Sequence, residues 1–289
     1  MNVIITGSRG QLGYELIRTA PVGASILGID LPETDICDVS KLTEVVTQFQ
    51  PSLIINAAAY TAVDQAESKV DLAFAVNSLA ARHIATIART QGCRLIHIST
   101  DFVFDGLIGR AYLPSDAVSP LSVYGRSKAD SEAHVLREHP ANTIVIRTAW
   151  VYSAHGANFV KTILRLLRER DQLKVISDQI GTPTWAGSLA QCMWTFANRA
   201  ETGIWHFTDA GIASWYDFAV AIAEEAHRIG LVPEMKPIIP ITTAEFPTPA
   251  QRPSFSVLDK SMTRPISGQA THWRENLKKM LSELDCKRP

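Results

Sequence analysis

At 289 residues, 46% apolar and 20% charged with a formal net charge of −1, the chain can bury a sizeable core but has no global field suited to nucleic acid or an anionic membrane. Any anionic ligand must be gripped by local groups. Four cysteines, Cys37, Cys93, Cys192 and Cys286, show no paired spacing and read as reduced thiols rather than a disulfide framework or zinc site.

The chain opens Met1-Asn2-Val3-Ile4-Ile5-Thr6-Gly7, without a basic region or apolar leader, and no later apolar run is long enough to span a bilayer. The expectation is a cytoplasmic protein with neither membrane nor nucleic acid as partner. Short β-branched runs at 3–6, 25–29, 53–56, 94–99 and 143–147 alternate with helical patterns over 11–19, 41–48, 71–91 and 127–137. This alternation predicts an α/β fold, a Rossmann-type doubly wound parallel sheet, with residues 1–150 as the dinucleotide-binding domain.

Residues 151–289 read as a mixed region that completes the sheet and forms a smaller C-terminal substrate-binding lobe. Phe159, Ile163, Leu166 and Leu167 fall at helical spacing, and 173–176 reads as a strand. Two more amphipathic helices run through Trp215, Phe218, Ala219, Ile222, Ala226 and Ile229, and through Trp273, Leu277, Met280, Leu281 and Leu284; both stripes read as core. Between them, residues 233–253 hold six prolines, which exclude a continuous helix and predict ordered loop with short extended pieces over the substrate.

Directly after the first strand, Gly7-Ser8-Arg9-Gly10-Gln11-Leu12-Gly13 is a Gly-x-x-Gly-x-x-Gly turn entering a helix. Its glycines permit a tight turn and close approach to a pyrophosphate, and the helix N-terminus offers amide donors and a favourable dipole. Asp30 closes the second strand 17 residues after Gly13, placed to accept from ribose hydroxyls, which favours NADH. Arg9 in the loop favours a 2′-phosphate, hence NADPH, and the choice between NADPH and NADH stays open.

Tyr124 and Lys128 lie four residues apart, one helical turn on one face. The cation can stabilise tyrosinate and lower the phenol toward working pH, making Tyr124 a proton donor to a carbonyl that receives hydride. Thr100, at the end of the fourth strand, is the hydroxyl chosen to complete the site.

Together these segments resemble the dTDP-4-dehydrorhamnose reductase family of the extended short-chain dehydrogenases/reductases. The shared motifs are the glycine turn, residues 56–64 (NAAAYTAVD), 99–106 (STDFVFDG), Tyr124 to Lys128, 147–152 (RTAWVY), 178–184 (DQIGTPT) and 252–256 (RPSFS). The resemblance implies reduction of the 4-keto group of a dTDP-linked sugar, with Tyr124 as proton donor, Lys128 on the nicotinamide ribose and Thr100 at the sugar. It implies Gly10, Gln11 and Leu12 at the pyrophosphate, Asp38 and Val39 near the adenine, Ala59, Tyr60 and Thr61 along the cofactor, and Asp101 and Trp150 around the sugar. Arg252 is open to two readings, a substrate diphosphate partner or a structural arginine.

A sugar 4,6-dehydratase needs an acidic pair after the threonine; Phe102 follows Asp101, so one member is missing. Other readings are reduction of a different nucleotide-linked 4-keto sugar, or a non-catalytic regulatory subunit like that of methionine adenosyltransferase. Some family members carry magnesium at a subunit interface, and a homodimer is possible on the same resemblance. Here residues 184–188 (TWAGS) supply no carboxylate and Glu15 reads as a solvated helical residue, so no metal is expected.

Overall fold

The computed structural model describes residues 1–286, and in it six parallel strands form one sheet. These are β1 (Asn2–Thr6), β2 (Ser25–Ile29), β3 (Leu53–Asn56), β4 (Arg94–Thr100), β5 (Thr143–Thr148) and β6 (Gly203–His206). Their order is β6-β5-β4-β3-β1-β2. The chain starts mid-sheet, turns to one edge, then crosses back to build the other half, leaving a switch point between β1 and β3 where such sheets hold ligands.

Alternate side chains explain why the middles of these runs are mostly apolar. Val3, Ile5, Leu53, Ile55, Ile96, Ile144 and Ile146 pack on one face, against helices α1 (Gln11–Arg18) and, later in the chain, Ala186–Ala197. Ile4, Ile54, Leu95 and Val145 point the other way, toward α2 (Val39–Phe49), α3 (Ala80–Gln91) and α4 (Val123–Glu138). A sheet covered on both faces needs apolar residues at most positions. Each such Ile, Leu or Val contributes roughly 1.5–3 kcal/mol by leaving water.

A further core joins α5 (Phe159–Glu169), α7 (Trp215–Arg228) and α8 (Trp273–Asp285), with α6 being the Ala186–Ala197 helix under the sheet. The stripes Phe218, Ala219, Ile222, Ala226 and Leu277, Met280, Leu281 are buried there. In the proline-rich stretch, Ile238–Ile241 pairs in parallel with Leu173–Ile176, one of the short extended pieces expected.

Four elements depart from the sequence reading. Residues 71–91 are not one helix: Val70–Phe74 gives way to a π-turn at Ala75–Leu79 before α3. Helix α4 begins four residues earlier than its apolar pattern, because Ser122 accepts from Gly125 N at 3.1 Å and caps it. Helix α6 and strand β6, neither visible by periodicity, complete the sheet layer from the second half of the chain.

Candidate active site

A cavity of about 850 Å³ runs over the carboxyl ends of β1, β3, β4 and β5. Gly7, Gly10, Gln11 and Leu12 line it at the head of α1, whose first turn no side chain caps, leaving its amides for an anion. Gly7 adopts φ 66°, and a Cβ there would sit 2.7 Å from Ala58 Cα, so glycine is required. Gly13 lies off the wall: a Cβ would meet Gly7 O at 2.2 Å and Ser8 Cα at 2.6 Å, so this glycine lets α1 pack against the turn that leads into it.

At the far end, Asp30 accepts Arg9 N and Leu31 N, each at 2.8 Å, and its carboxylate lines the cavity. The Arg9 guanidinium bonds Leu31 O at 2.5 Å and Glu33 Oε1 at 2.6 Å. Asp38 instead caps α2, accepting Lys41 N at 3.0 Å, and neither it nor Val39 is on the wall; Asp35 and Ile36 are. The loop after β2 thus reaches the cavity before the helix begins. Ala59 and Thr61 line the wall, whereas Tyr60 is turned away, its hydroxyl 3.3 Å from Gln65 Oε1.

Thr100, Tyr124 and Lys128 meet at the end of β4. Thr100 Oγ1 donates to Asp101 Oδ1 at 3.0 Å and accepts Phe102 N at 3.1 Å, and it faces the Tyr124 side chain across the cavity wall. Burial pushes the Tyr124 phenol up to about 12, the Thr100 hydroxyl pulls back and the Asp101 charge adds to the rise. The lowering expected from Lys128 is not seen in the protein alone: desolvation dominates, and the phenol stays protonated. Burial takes Lys128 down to about 8, opposed by Glu132 one turn on. Its ammonium donates to Ile98 O at 2.6 Å.

Asp101 is buried, accepts Ser256 Oγ at 2.5 Å, and is pushed by burial up to about 6. Trp150 holds φ 47°, unusual for a bulky residue. Its ring stacks on Trp215 at 3.5 Å and lies where a Cβ on Gly181 would clash. Trp215 lines the cavity, so that end of the α7 stripe is wall rather than core.

Sequence reasoning missed Asn77. The π-turn carries this buried amide to the backbone of Tyr60, accepting its N–H at 2.7 Å and donating to its carbonyl at 3.2 Å, and also to Ser127 Oγ at 2.9 Å. One side chain thereby fixes the cofactor-side loop to the Tyr124 helix. The apolar pattern runs on through 75–79, so nothing in the helical period signals it.

Arg252 lines this cavity but grips Asp64, Nη2 to Oδ2 at 2.7 Å and Nη1 to Oδ1 at 3.1 Å. Both residues also line an adjoining cavity of about 630 Å³ with Phe159, Trp215, Phe246 and Lys174.

Glu15 is not solvated. Buried between α1 and the second half of the chain, it takes Arg18 Nε at 2.8 Å and Nη2 at 2.6 Å on one oxygen and Ser153 Oγ at 2.9 Å on the other. A guanidinium already neutralises this carboxylate, and among the described residues no group of three His, Cys, Asp or Glu is placed to hold a metal ion.

A parallel sheet with its glycine cradle at the switch point and a Tyr-x-x-x-Lys helix facing a strand-end threonine defines the short-chain dehydrogenase/reductase class. The family model described as the RmlD substrate binding domain matches residues 1–286. The dTDP-4-dehydrorhamnose reductase of Aggregatibacter actinomycetemcomitans is 40% identical over 285 residues, covering 96% of this chain and 97% of its own. A Clostridium acetobutylicum dTDP-4-dehydrorhamnose reductase structure superposes with TM-score 0.92 at 36% identity, over 99% of this chain and 100% of that one. The Bacillus anthracis enzyme, solved in complex with NADP, gives 0.92 and 36% over 98% and 99%. The chain belongs to the dTDP-4-dehydrorhamnose reductase family. Among the described residues no helix is long and apolar enough to cross a membrane.

Proposed function

We propose that this protein reduces the 4-keto group of dTDP-4-dehydro-β-L-rhamnose to dTDP-L-rhamnose, using NADPH or NADH. The observation that carries the reading is the convergence of Thr100, Tyr124 and Lys128 on a cavity whose other end is the glycine cradle. The cradle fits a dinucleotide: the α1 amides are uncapped and Gly7, Gly10 and Gln11 line the cavity in front of them. When bound, the nicotinamide supplies hydride to the carbonyl carbon.

In this reading Tyr124, held protonated by burial, gives its proton to the oxygen that becomes the 4-hydroxyl. Lys128 bonds the cofactor ribose and faces the tyrosinate left behind, which recovers a proton from solvent. Thr100 and Asp101 orient the sugar, with Trp150 as a flat apolar wall. Gly10, Gln11 and Leu12 hold the pyrophosphate, and Ala59 and Thr61 flank the cofactor. Residues 151–289 supply the substrate lobe, with Arg252 placed to exchange Asp64 for the substrate diphosphate and the Phe159, Trp215 and Phe246 rings ready for a base. The reading carries with it a cytoplasmic enzyme and a homodimer, the latter decided by sedimentation.

Two further outcomes are expected. Because burial sets Lys128 near 8, its ammonium is lost as pH rises through that value, and cofactor affinity falls above it; a flat binding profile from pH 7 to about 9.5 would contradict this. Glu33→Gln releases the Arg9 guanidinium toward a 2′-phosphate and removes a like charge, so the NADPH-to-NADH ratio of affinities rises roughly two- to fivefold, as for an exposed pair. Titration with each cofactor reads this directly.

The deciding experiment is loss of NADPH or NADH absorbance when dTDP-4-dehydrorhamnose, formed in place by its epimerase, meets the purified protein. Rapid oxidation supports the reading. Cofactor binding without turnover would turn attention first to another nucleotide-linked 4-keto sugar, then to a regulatory subunit.

A further inference from the structure

Beneath the Tyr124 helix, a row of buried polar side chains crosses the sheet beside the Ser99–Glu132–Arg147 cluster. Thr6, Asn56 and His97 are register partners on β1, β3 and β4, and with Ser131 of α4 all are buried. Thr6 Oγ1 accepts Ala58 N at 3.3 Å and gives its hydrogen to Asn56 Oδ1 at 2.6 Å. That turns the Asn56 amide nitrogen to His97 Nδ1 at 3.0 Å, which must therefore be a bare acceptor. At the other end Ser131 Oγ gives its hydrogen to Lys128 O at 2.6 Å, so it accepts from His97 Nε2 at 2.9 Å. The two ends independently place the imidazole hydrogen on Nε2.

Lys128 Nζ lies 3.4 Å from that same Nε2. We propose that His97 is a positioning residue for Lys128: the Thr6–Asn56–His97–Ser131 chain holds the imidazole hydrogen on Nε2, denies the ammonium an internal acceptor there, and so leaves it bonded to Ile98 O and directed to the cavity. With the other tautomer, a lone pair on Nε2 would draw the ammonium away from the cofactor. Burial, with the Lys128 charge acting the same way, holds His97 well below its usual range, so the ring stays neutral. Lys128 is the charged group that acts on the ring; Glu132, one turn further along α4, acts on Lys128 in turn and is itself paired with Arg147 of β5. A buried network of this kind specifies one arrangement only while every member is satisfied.

The proposal rests on Lys128 contacting the cofactor. It is tested by NADPH binding to the full chain, followed by fluorescence from pH 6 to about 10, with unfolding recorded for each variant. His97→Gln preserves the pattern, its carbonyl accepting from Asn56 and its amide donating to Ser131, and should bind NADPH within about threefold of the parent. Asn56→Asp keeps the shape but demands a hydrogen on Nδ1; it should weaken NADPH about fivefold or more and displace the alkaline limb by at least about half a pH unit. A folded Asn56→Asp with parental affinity and limb would overturn the proposal. So would His97→Gln binding as poorly as His97→Leu, the variant that deletes the chain. Failure of the parent itself to bind NADPH would instead overturn the proposed function.

Discussion

Tyr124→Phe is expected to lower kcat by about 10²–10⁴, the range for losing a positioned general acid, with cofactor affinity within about twofold of the parent. The substitution deletes one hydroxyl. The ring keeps its edge contact with Phe102 at 5.8 Å, and the helix keeps its Ser122 cap, so neither the wall nor Lys128 should move. What disappears is the phenol that burial holds protonated beside Thr100. If Tyr124 acts as the proton donor, the loss falls on kcat and kcat/KM alike, with KM nearly constant, because the proton is transferred only in the transition state. Single-turnover oxidation of enzyme-bound NADPH isolates this step from product release. Near-parental turnover would remove Tyr124 from the chemistry, and a defect confined to KM would recast it as a substrate contact.

Much of this arrangement was legible in the residues, and the parts that were not have physical causes. The five predicted strands stood out because a sheet buried on both faces is apolar at most positions, and the glycine turn because close backbone approach tolerates no other side chain. Helix α6 hid for the opposite reason: Leu189, Ala190, Cys192, Met193, Trp194 and Phe196 are all buried, and the polar stripe left to mark its period is only the uncharged Ser188, Gln191 and Thr195. Strand β6 is four residues long and has polar neighbours. Asn77 acts through a π-turn, which no 3.6-residue pattern anticipates. Trp215 sits one residue inside a helix whose stripe is core, and only the fold shows that its end reaches the cavity. Asp38 caps α2, and the wall near it is made by the loop residues Asp35 and Ile36, a difference of one turn that spacing cannot resolve.

Glu132→Ala is expected to destabilise the fold by about 3–5 kcal/mol, the usual consequence of leaving one member of a buried ion pair alone. Arg147 and Glu132 are 2% and 4% exposed. The guanidinium binds both carboxylate oxygens, Nε to Oε1 at 2.9 Å and Nη2 to Oε2 at 2.6 Å, while Ser99 Oγ donates to Oε1 at 2.5 Å. Without Glu132 the cation keeps only the Pro114 carbonyl, the Phe104 ring face at 4.9 Å and neutral His206, whose own proton affinity burial lowers to about 3. Denaturant unfolding should show a lower midpoint at unchanged slope. The double variant Glu132→Leu/Arg147→Met should unfold later than Glu132→Ala, since it removes the stranded charge with its partner. Glu132 also lies one turn beyond Lys128 and supports its protonation, so the folded fraction of Glu132→Ala should lose cofactor affinity at lower pH than the parent. A variant with parental stability would show that water or a neighbour replaces the carboxylate, and a parental pH profile would separate this ion pair from the ammonium it flanks.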